Sequence, residues 1–337
     1  MPALPSPRRL LIFAVLLPGI VAATNQILIE TLPGHWLRTC LYPAMAVSTA
    51  VISWCAGRYL QPAWLSWIVF AWSLALLDLL SIAVCLSGPI GDHFGYMMVT
   101  SQMCLVVVWT ILGASSWQWR ITVVLLATPA LIMFADVFMR SSYGRWRAPH
   151  WVIVMLIATV VIAILCGSLR AAGFSLRMSS NSSIDARASP PDRIFQFGLR
   201  HMLVWSAALV PLLLVGRGID LLMFGRINTQ GIFPVILVAA SLAIINLTAI
   251  WAVLGNGPPL ARIASLILVP AVFAYALHRL TLYFESINGG WPAFSMLWVL
   301  YEVKDEWTSW LMMDALLLAA LLLFLRSKGY CLMRRLA

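Results

Sequence analysis

Residues 170–200, RAAGFSLRMSSNSSIDARASPPDRIFQFGLR, form the longest polar interval in a chain that is otherwise a succession of apolar blocks. The interval is rich in arginine and carries only two acids, Asp185 and Asp192. Long basic loops between membrane spans usually stay on the cytoplasmic side. The interval therefore predicts a polar cytoplasmic loop, and it fixes the expected orientation of every span on either side of it.

The composition is that of a membrane protein. Of the 337 residues 62% are hydrophobic and 10% are charged, and the mean hydropathy is +0.93, whereas a soluble domain carries about 25% charged residues. Apolar runs near 20 residues recur along the whole length, which soluble cores do not show. The chain is thus expected to be an all-α polytopic transmembrane helix bundle of about ten spans, with the lipid bilayer as its main partner.

The apolar blocks define the expected organisation. Residues 1–169 should form an N-terminal six-span bundle, and residues 201–337 a C-terminal four-span bundle. Residues 291–301 are apolar but too short to cross, so they are expected to be interfacial or re-entrant. The first block also resembles a signal peptide that ends near Ala23, although the apolar character that resumes at Ile27 favours an uncleaved span. The expected spans are residues 10–29, 40–57, 63–86, 96–115, 121–139, 151–169, 201–220, 233–254, 263–283 and 308–325.

The charge pattern supports one orientation. With residues 170–200 inside, ten spans place both termini in the cytoplasm. The basic residues then gather at the inner ends of the blocks and the acids at the outer ends, as the positive-inside rule requires. The net charge of +10 is explained by this bias, so no nucleic-acid partner is predicted.

Motifs for soluble chemistry are absent from the sequence. There is no GxxxxGK[ST] loop, no HExxH and no GxSxG. The six cysteines are scattered without CxxC spacing, and no polar segment is long enough for a catalytic domain. No cofactor and no metal site are predicted.

What remains are ionisable residues inside the spans, where a charge costs roughly 2.5–3.5 kcal/mol at a helix centre on insertion scales. Asp78, His278, Arg279 and Asp314 stand at similar depth and form a candidate intramembrane polar cluster. A carboxyl at the depth of Asp78 must be protonated or paired, and Arg279 or His278 is the expected partner. Functional and structural roles for Asp78 both stay open.

Other charged positions have simpler explanations. Asp136 precedes Arg140 by one helical turn, which predicts a local ion pair. Arg279 can reach the interface by extending along its apolar stem. Asp314 lies about 9 Å below the start of its span, and it is expected to be an interfacial carboxylate that water still reaches.

Residues 195–217, FQFGLRHMLVWSAALVPLLLVGR, resemble a segment that recurs in uncharacterised multi-pass membrane proteins of planctomycete bacteria. The matching residues are Phe197, Gly198, Leu199, Arg200, Leu203, Ser206 and Ala207. The resemblance implies a multi-pass protein of a bacterial inner membrane and brings no activity with it. A comparable pattern, Trp117-Gln118-Trp119-Arg120, opens an earlier span and hints at a related half, but one such pattern does not establish a repeat.

Three classes of function remain. The first is a non-enzymatic structural or assembly component with other membrane proteins as partners, and this is the favoured interpretation. The second is a small-solute or ion transporter, and the third is an intramembrane enzyme that acts on a lipid-linked substrate. A dry, fully packed Asp78 would favour the first class, and an Asp78 that lines a water-filled cavity would favour the others.

Overall fold

The computed structural model describes most of the chain. The described residues are 12–17, 19–21, 23–24, 27, 34–60, 63–87, 92–113, 115–143, 148–178, 233–255, 258–288 and 307–334. The expected span at 201–220, the segment at 291–301 and most of the 170–200 loop lie outside them, and so do eight of the twenty residues of the first block, 10–29. The resemblance at 195–217 lies outside them as well.

The described part of the chain is a helix bundle with one small sheet. A short π-helical turn, Ile12–Leu16, precedes eight long α-helices. In chain order the elements are α1 Gly34–Tyr59, α2 Ala63–Ser87, α3 Asp92–Leu112, α4 Trp117–Tyr143, α5 Ala148–Ala171, β1 Phe174–Met178, α6 Phe233–Leu254, α7 Pro259–Asn288, α8 Trp307–Ser327 and β2 Tyr330–Arg334.

Six of these helices, α3 to α8, are long and apolar enough to cross a membrane. The apolar stretch of α2 is shorter, Trp64–Leu79. A helical, membrane-embedded fold is therefore confirmed. Every backbone N–H and C=O within such a span must be satisfied inside the segment, which is why helices fill this role.

Helix α8 lies at the centre of the bundle. It packs most extensively against α1 and also contacts α3, α6 and α7. Four helices close a ring, because α3 contacts α5, α5 contacts α6, α6 contacts α8 and α8 contacts α3. Helices α4 and α7 stand outside this ring, and only 17% of the spanning window of each is buried.

The all-α expectation misses one element, a two-stranded antiparallel sheet. Strand β1 pairs with β2, and Leu176 lies opposite Leu332 at the middle of the ladder. Each strand follows its helix through a tight turn in which a glycine takes a left-handed conformation, Gly173 with φ 88° and Gly329 with φ 83°. The sheet therefore ties the C-terminal ends of α5 and α8 together on one side of the bundle.

The two helix–strand units have the same sequence pattern. Arg170-Ala-Ala-Gly173-Phe174-Ser-Leu176 matches Arg326-Ser-Lys-Gly329-Tyr330-Cys-Leu332 position for position. Trp151 and Trp307, both fully buried, stand at the same distance from these glycines. The pairing of Leu176 with Leu332 joins equivalent residues, as a two-fold axis through the middle of the ladder requires.

The preceding helices repeat in the same way. Helix α3 ends in WTILG at residues 109–113 and α6 ends in WAVLG at residues 251–255. The terminal glycine N–H donates to the tryptophan carbonyl at 2.9 Å in both places. An Arg-Ile pair follows at the same spacing, at Arg120 and Arg262, and a proline lies inside each following helix, Pro129 in α4 and Pro270 in α7.

The contacts between helices obey the same correspondence. The contacts of α3 with α4, α4 with α5 and α3 with α5 match those of α6 with α7, α7 with α8 and α6 with α8. The cross-contacts also match, since α3 packs on α8 as α6 packs on α5, and β1 touches α3 as β2 touches α6. The described parts of residues 92–178 and 233–334 are thus two equivalent halves around a pseudo-two-fold axis.

Candidate functional site: the buried carboxyl groups

The first buried carboxyl group belongs to α2. Asp78 is 1% exposed, and both of its oxygens accept hydrogen bonds from Nε2 of Gln102 on α3, at 2.9 and 3.0 Å. Buried polar groups must find partners because an unmade hydrogen bond in an apolar medium costs free energy. Asp78 therefore acts as a polar connection between α2 and α3.

The second buried carboxyl group belongs to the central helix. Asp314 is 0% exposed, and its Oδ1 accepts a hydrogen bond from the Ser101 hydroxyl at 3.2 Å. The same hydroxyl lies 3.4 Å from the backbone carbonyl of Asp314. The expectation that water reaches Asp314 is wrong, because α1, α3, α6 and α7 surround α8.

A third polar side chain completes the site. Asn246 of α6 is fully buried, lies beside the Asp314 carboxyl group, and donates from Nδ2 to Sγ of Cys104 at 3.4 Å. Cys104 and Asn246 are equivalent residues of the two halves, each five positions before the tryptophan that opens the terminal pattern of its helix. Their contact therefore lies at the pseudo-two-fold axis.

Two acceptors in this cluster have no donor in the described part of the chain. They are Oδ2 of Asp314 and Oδ1 of Asn246, both shielded from solvent. Ser101, Asp314 and Asn246 come from three different helices of the central ring. The cluster of these three residues with Cys104 is called the axial cluster below.

The axial cluster occurs in only one of the two equivalent interfaces. Counting back from Gly329 and Gly173, the position of Asp314 in α8 corresponds to Ala158 in α5. Counting back from Gly113 and Gly255 in the same way, the position of Ser101 in α3 corresponds to Ala243 in α6. Both alanines are buried. At these two positions the α3–α8 contact is therefore polar, whereas its counterpart between α6 and α5 is apolar.

The structure divides the four predicted cluster residues. Asp78 and Asp314 lie in the core, linked through the adjacent residues Gln102 and Ser101 of α3. His278 is half-buried and Arg279 is exposed, both on α7. Helix α7 packs on α6 and α8, whereas α2 packs on α1, α3 and α4. The predicted pairing of Asp78 with Arg279 is not found among the described contacts, and the carboxyl group bonds to Gln102 instead.

One simpler expectation about charged groups is confirmed. Asp136 and Arg140 form the predicted ion pair on α4, with Nε to Oδ2 at 2.7 Å. Arg279 is exposed on α7, and its reach to the membrane interface stays a prediction. Both features lie at the periphery of the bundle and not in the axial cluster.

One end of the bundle is basic. Arg170 donates to the backbone carbonyls of Ile111 and Gly113, which places the C-terminal ends of α5 and α3 side by side. Lys328 Nζ donates to the Leu60 carbonyl at 3.0 Å, which adds the C-terminal end of α1. Cations at helix C-termini complement the carbonyls that the helix leaves unpaired.

A similar bond occurs in both halves, although the two acceptor carbonyls are not at equivalent positions. Arg120 donates to the Thr110 carbonyl at 3.2 Å, and its equivalent Arg262 donates to the Gly255 carbonyl at 3.0 Å. Each arginine thus ties the start of its helix to the end of the preceding one.

Burial lowers the pKa of the Lys328 ammonium below its usual value, which fits a cation partly withdrawn from water.

Comparison with other proteins gives no assignment. No protein-family model, curated protein or solved structure matches this chain.

Sequence reasoning did not identify Gln102, Ser101 and Asn246. Each is a neutral polar residue inside an apolar block, and such residues are common enough in spans not to be informative alone. The signal that could have found Asn246 is the paired pattern WTILG and WAVLG, because aligning the two copies places Asn246 opposite Cys104.

Proposed function

We propose that the protein is a non-enzymatic structural or assembly component of a bacterial inner membrane, built as a multi-pass helix bundle. The carrying observation is Asp78, which is 1% exposed and has both oxygens bonded to Gln102. A carboxyl group that is dry and bonded to a neutral partner is suited to holding helices together. Interhelical polar bonds of this kind stabilise membrane bundles by about 0.6–2 kcal/mol each.

The proposed topology has ten spans with both termini and residues 170–200 in the cytoplasm. The basic end supports this proposal, because the ends of α1, α3, α5 and α8 meet there and carry the arginines and lysine. Strand β1 lies at this end, and the apolar block at 201–220 is long enough to return the chain to the start of α6. The resemblance of residues 195–217 to planctomycete membrane proteins supports a bacterial inner membrane.

The surface available to protein partners is apolar. Helices α4 and α7, the outermost of the described spans, expose large side chains along their length. Within the bilayer these faces contact lipid or another membrane protein. The exposed side chains include Trp117, Trp119, Leu125, Leu126 and Met133 on α4 and Leu260, Ile263, Leu268, Val272 and Tyr275 on α7.

A second candidate function is a small-solute or ion transporter. The observation that favours it is the axial cluster, because transporters with parallel repeats place substrate and ion sites at the interface between the repeats. Asp314 and Asn246 each keep an unused acceptor there. Repeats alone do not imply transport, since one fold hosts many functions.

Reconstitution separates the two candidates. Purified protein in liposomes is tested with imposed proton, sodium and potassium gradients, with ion-sensitive dyes inside the vesicles. The structural proposal predicts fluxes equal to those of protein-free liposomes. A flux that requires the protein and is lost in Asp314→Asn would reject the structural proposal in favour of transport.

A positive test of assembly uses photo-crosslinking in the native membrane. A photoreactive amino acid is placed at Leu126 on the outer face of α4, with Val154, buried in α5, as the matched control position. A discrete crosslinked membrane protein at Leu126 and none at Val154 is expected. Crosslinks to lipid alone from α4 and from the exposed face of α7 would contradict an assembly role.

A further inference from the structure

The axial cluster contains an imbalance between donors and acceptors. Ser101 donates to Oδ1 of Asp314, and Asn246 donates to Sγ of Cys104. These bonds leave Oδ2 of Asp314 and Oδ1 of Asn246 as two acceptors without a donor in the described part of the chain, both buried. Each acceptor left unpaired in a low-dielectric core is unfavourable.

We infer that a single proton is bound in the axial cluster, carried on Oδ2 of Asp314 and donated to Oδ1 of Asn246. The proton comes from water, and the neutral carboxylic acid then has one O–H donor with an acceptor still free for Ser101. With it, all the polar atoms named in the cluster have partners. Asn246 can therefore accept at Oδ1 while it donates to Cys104, which links α3, α6 and α8 at the pseudo-two-fold axis.

A metal ion fits the cluster less well. Hard cations such as Ca²⁺ take six to eight oxygen ligands and Mg²⁺ takes six. The cluster offers two unused oxygens, Asp314 Oδ2 and Asn246 Oδ1. One proton needs one atom to carry it and one acceptor, and the two unused oxygens of the cluster fill these two roles.

The described neighbourhood of Asp314 contains no charge that would stabilise an ionised carboxylate. From α3 it is faced by the titratable side chains of Tyr96 and Cys104, with Cys166 of α5 beside Cys104, and from α6 by the neutral Asn246. Helices α1 and α7 complete the wall around α8. Their described ionisable side chains are all half-buried or exposed, in contrast to Asp314: Cys55, Arg58 and Tyr59 on α1, and Arg262, Tyr275, His278, Arg279, Tyr283 and Glu285 on α7.

The equivalent interface supports the same conclusion. Where α5 meets α6, the counterparts of Asp314 and Ser101 are the buried Ala158 and Ala243. The bundle therefore closes without a polar group at that position, and Asp314 is not needed to fill space. A proton-carrying group present in one interface and absent from its counterpart makes the two halves chemically different.

Infrared spectroscopy of the purified protein in lipid nanodiscs tests the proposal. At neutral pH the wild type should show the carbonyl stretching band of a protonated carboxyl group, and Asp314→Asn should lose the Asp314 component of it. Asp136→Asn is the matched control, because Asp136 is ion-paired with Arg140, and it should leave the band unchanged. Asn246→Leu should keep the Asp314 component but shift its frequency, since the O–H loses its acceptor. If Asp314→Asn kept the whole band, the proposal would be overturned.

Thermal melting in detergent supplies the second readout. Asp314→Asn replaces O–H by N–H with the same shape, so it should melt within about 2 °C of the wild type. Raising the pH should lower the melting temperature of the wild type more than that of Asp314→Asn, because only the wild type can lose this proton. A competing outcome is that Na⁺ raises the melting temperature of the wild type above its value in choline at equal ionic strength, and that Asp314→Asn loses this effect. That result would show that a metal cation fills the cluster, and it would reject the proposal of a bound proton. If Asp314→Asn does not accumulate, the frequency shift in Asn246→Leu decides: its absence contradicts the bond between Asp314 and Asn246.

Discussion

Asn246 Nδ2 lies 3.4 Å from Cys104 Sγ, and the two residues hold the same position in the two halves of the chain. Each stands five residues before a tryptophan, in the patterns that end in WTILG and WAVLG. Contact between equivalent residues is what a two-fold axis produces. The second such contact, Leu176 with Leu332, lies at the basic end of the bundle.

The Asp78–Gln102 connection predicts an order among substitutions. Asp78→Asn keeps an oxygen that can accept from Gln102, whereas Asp78→Leu leaves the buried Gln102 amide without this partner, at a cost of about 1–3 kcal/mol. Melting in detergent and accumulation in the membrane should fall more for Asp78→Leu than for Asp78→Asn. The double variant Asp78→Leu/Gln102→Leu should recover part of the loss, because it removes both polar groups. Equal losses in Asp78→Asn and Asp78→Leu would contradict the structural role.

The glycines at the ends of α3 and α6 should behave alike. A Cβ at Gly113 would lie 2.2 Å from the Trp109 carbonyl oxygen, and one at Gly255 would lie 2.5 Å from that of Trp251. Alanine at either position should destabilise by about 1–3 kcal/mol, because backbone must move. Gly167→Ala is the matched control, since nothing lies within 4 Å of its added methyl group. Alanine there should be neutral or slightly stabilising in a helix. Melting curves of the three variants test this. If alanine at Gly113 left the melting temperature unchanged while alanine at Gly255 lowered it, the two helix ends would not be equivalent.

The arginines at the start of α4 and α7 should also have matched effects. Arg120→Met and Arg262→Met each remove a charged hydrogen bond to the end of the preceding helix, typically about 1.5–3 kcal/mol when buried and less for these half-buried side chains. Arg58→Met, at an exposed arginine of the same basic end, is the control for the loss of charge alone. We expect similar melting losses for the first two variants and a smaller loss for the third. A loss as large in Arg58→Met would mean that net charge, and not the two bonds, sets the effect.

The proposed orientation predicts the signals of reporter fusions. Fusions at Ser182 and Ala337 should be cytoplasmic and one at Asn288 periplasmic, because the basic end faces the cytoplasm under the positive-inside rule. An alkaline phosphatase signal at Ser182 would reverse the orientation. Opposite signals at Ser182 and Ala337 would contradict the sheet, which places β1 and β2 on the same side.

The sequence predicts some features of this protein well because they depend on local composition. Apolar length identifies the spans α3 to α8, and the one-turn spacing of Asp136 and Arg140 predicts their ion pair. The partner of Asp78 could not be predicted in this way, because depth alone does not say which helices are neighbours. The position of Asp314 near the start of its span predicts contact with water, but four helices surround α8 and no periodicity in the α8 sequence reveals them.

The sheet was missed for a related reason. Strand β1 begins inside the polar interval at 170–200, where basic composition indicated a loop, and its partner β2 lies more than 150 residues later in the chain. Strand pairing between distant segments leaves little trace in either segment alone. The shared pattern Arg-x-x-Gly-aromatic-x-Leu was visible in the sequence, but its meaning depends on seeing the two copies meet.

The central claim, two equivalent halves joined at an axis, is tested most directly by one disulfide. In a chain whose six native cysteines are replaced by alanine or serine, Leu176→Cys and Leu332→Cys occupy directly opposed positions of the β1–β2 ladder, where Cα atoms are about 4.5–5.5 Å apart, within disulfide range. Leu176→Cys with Met333→Cys is the control, because neighbouring side chains on a strand point to opposite faces. Mild oxidation in membranes should crosslink the first pair rapidly and the second pair poorly, as read by protease cleavage between residues 178 and 233 followed by non-reducing electrophoresis. Equal crosslinking of both pairs, or none in the first, would contradict the paired halves.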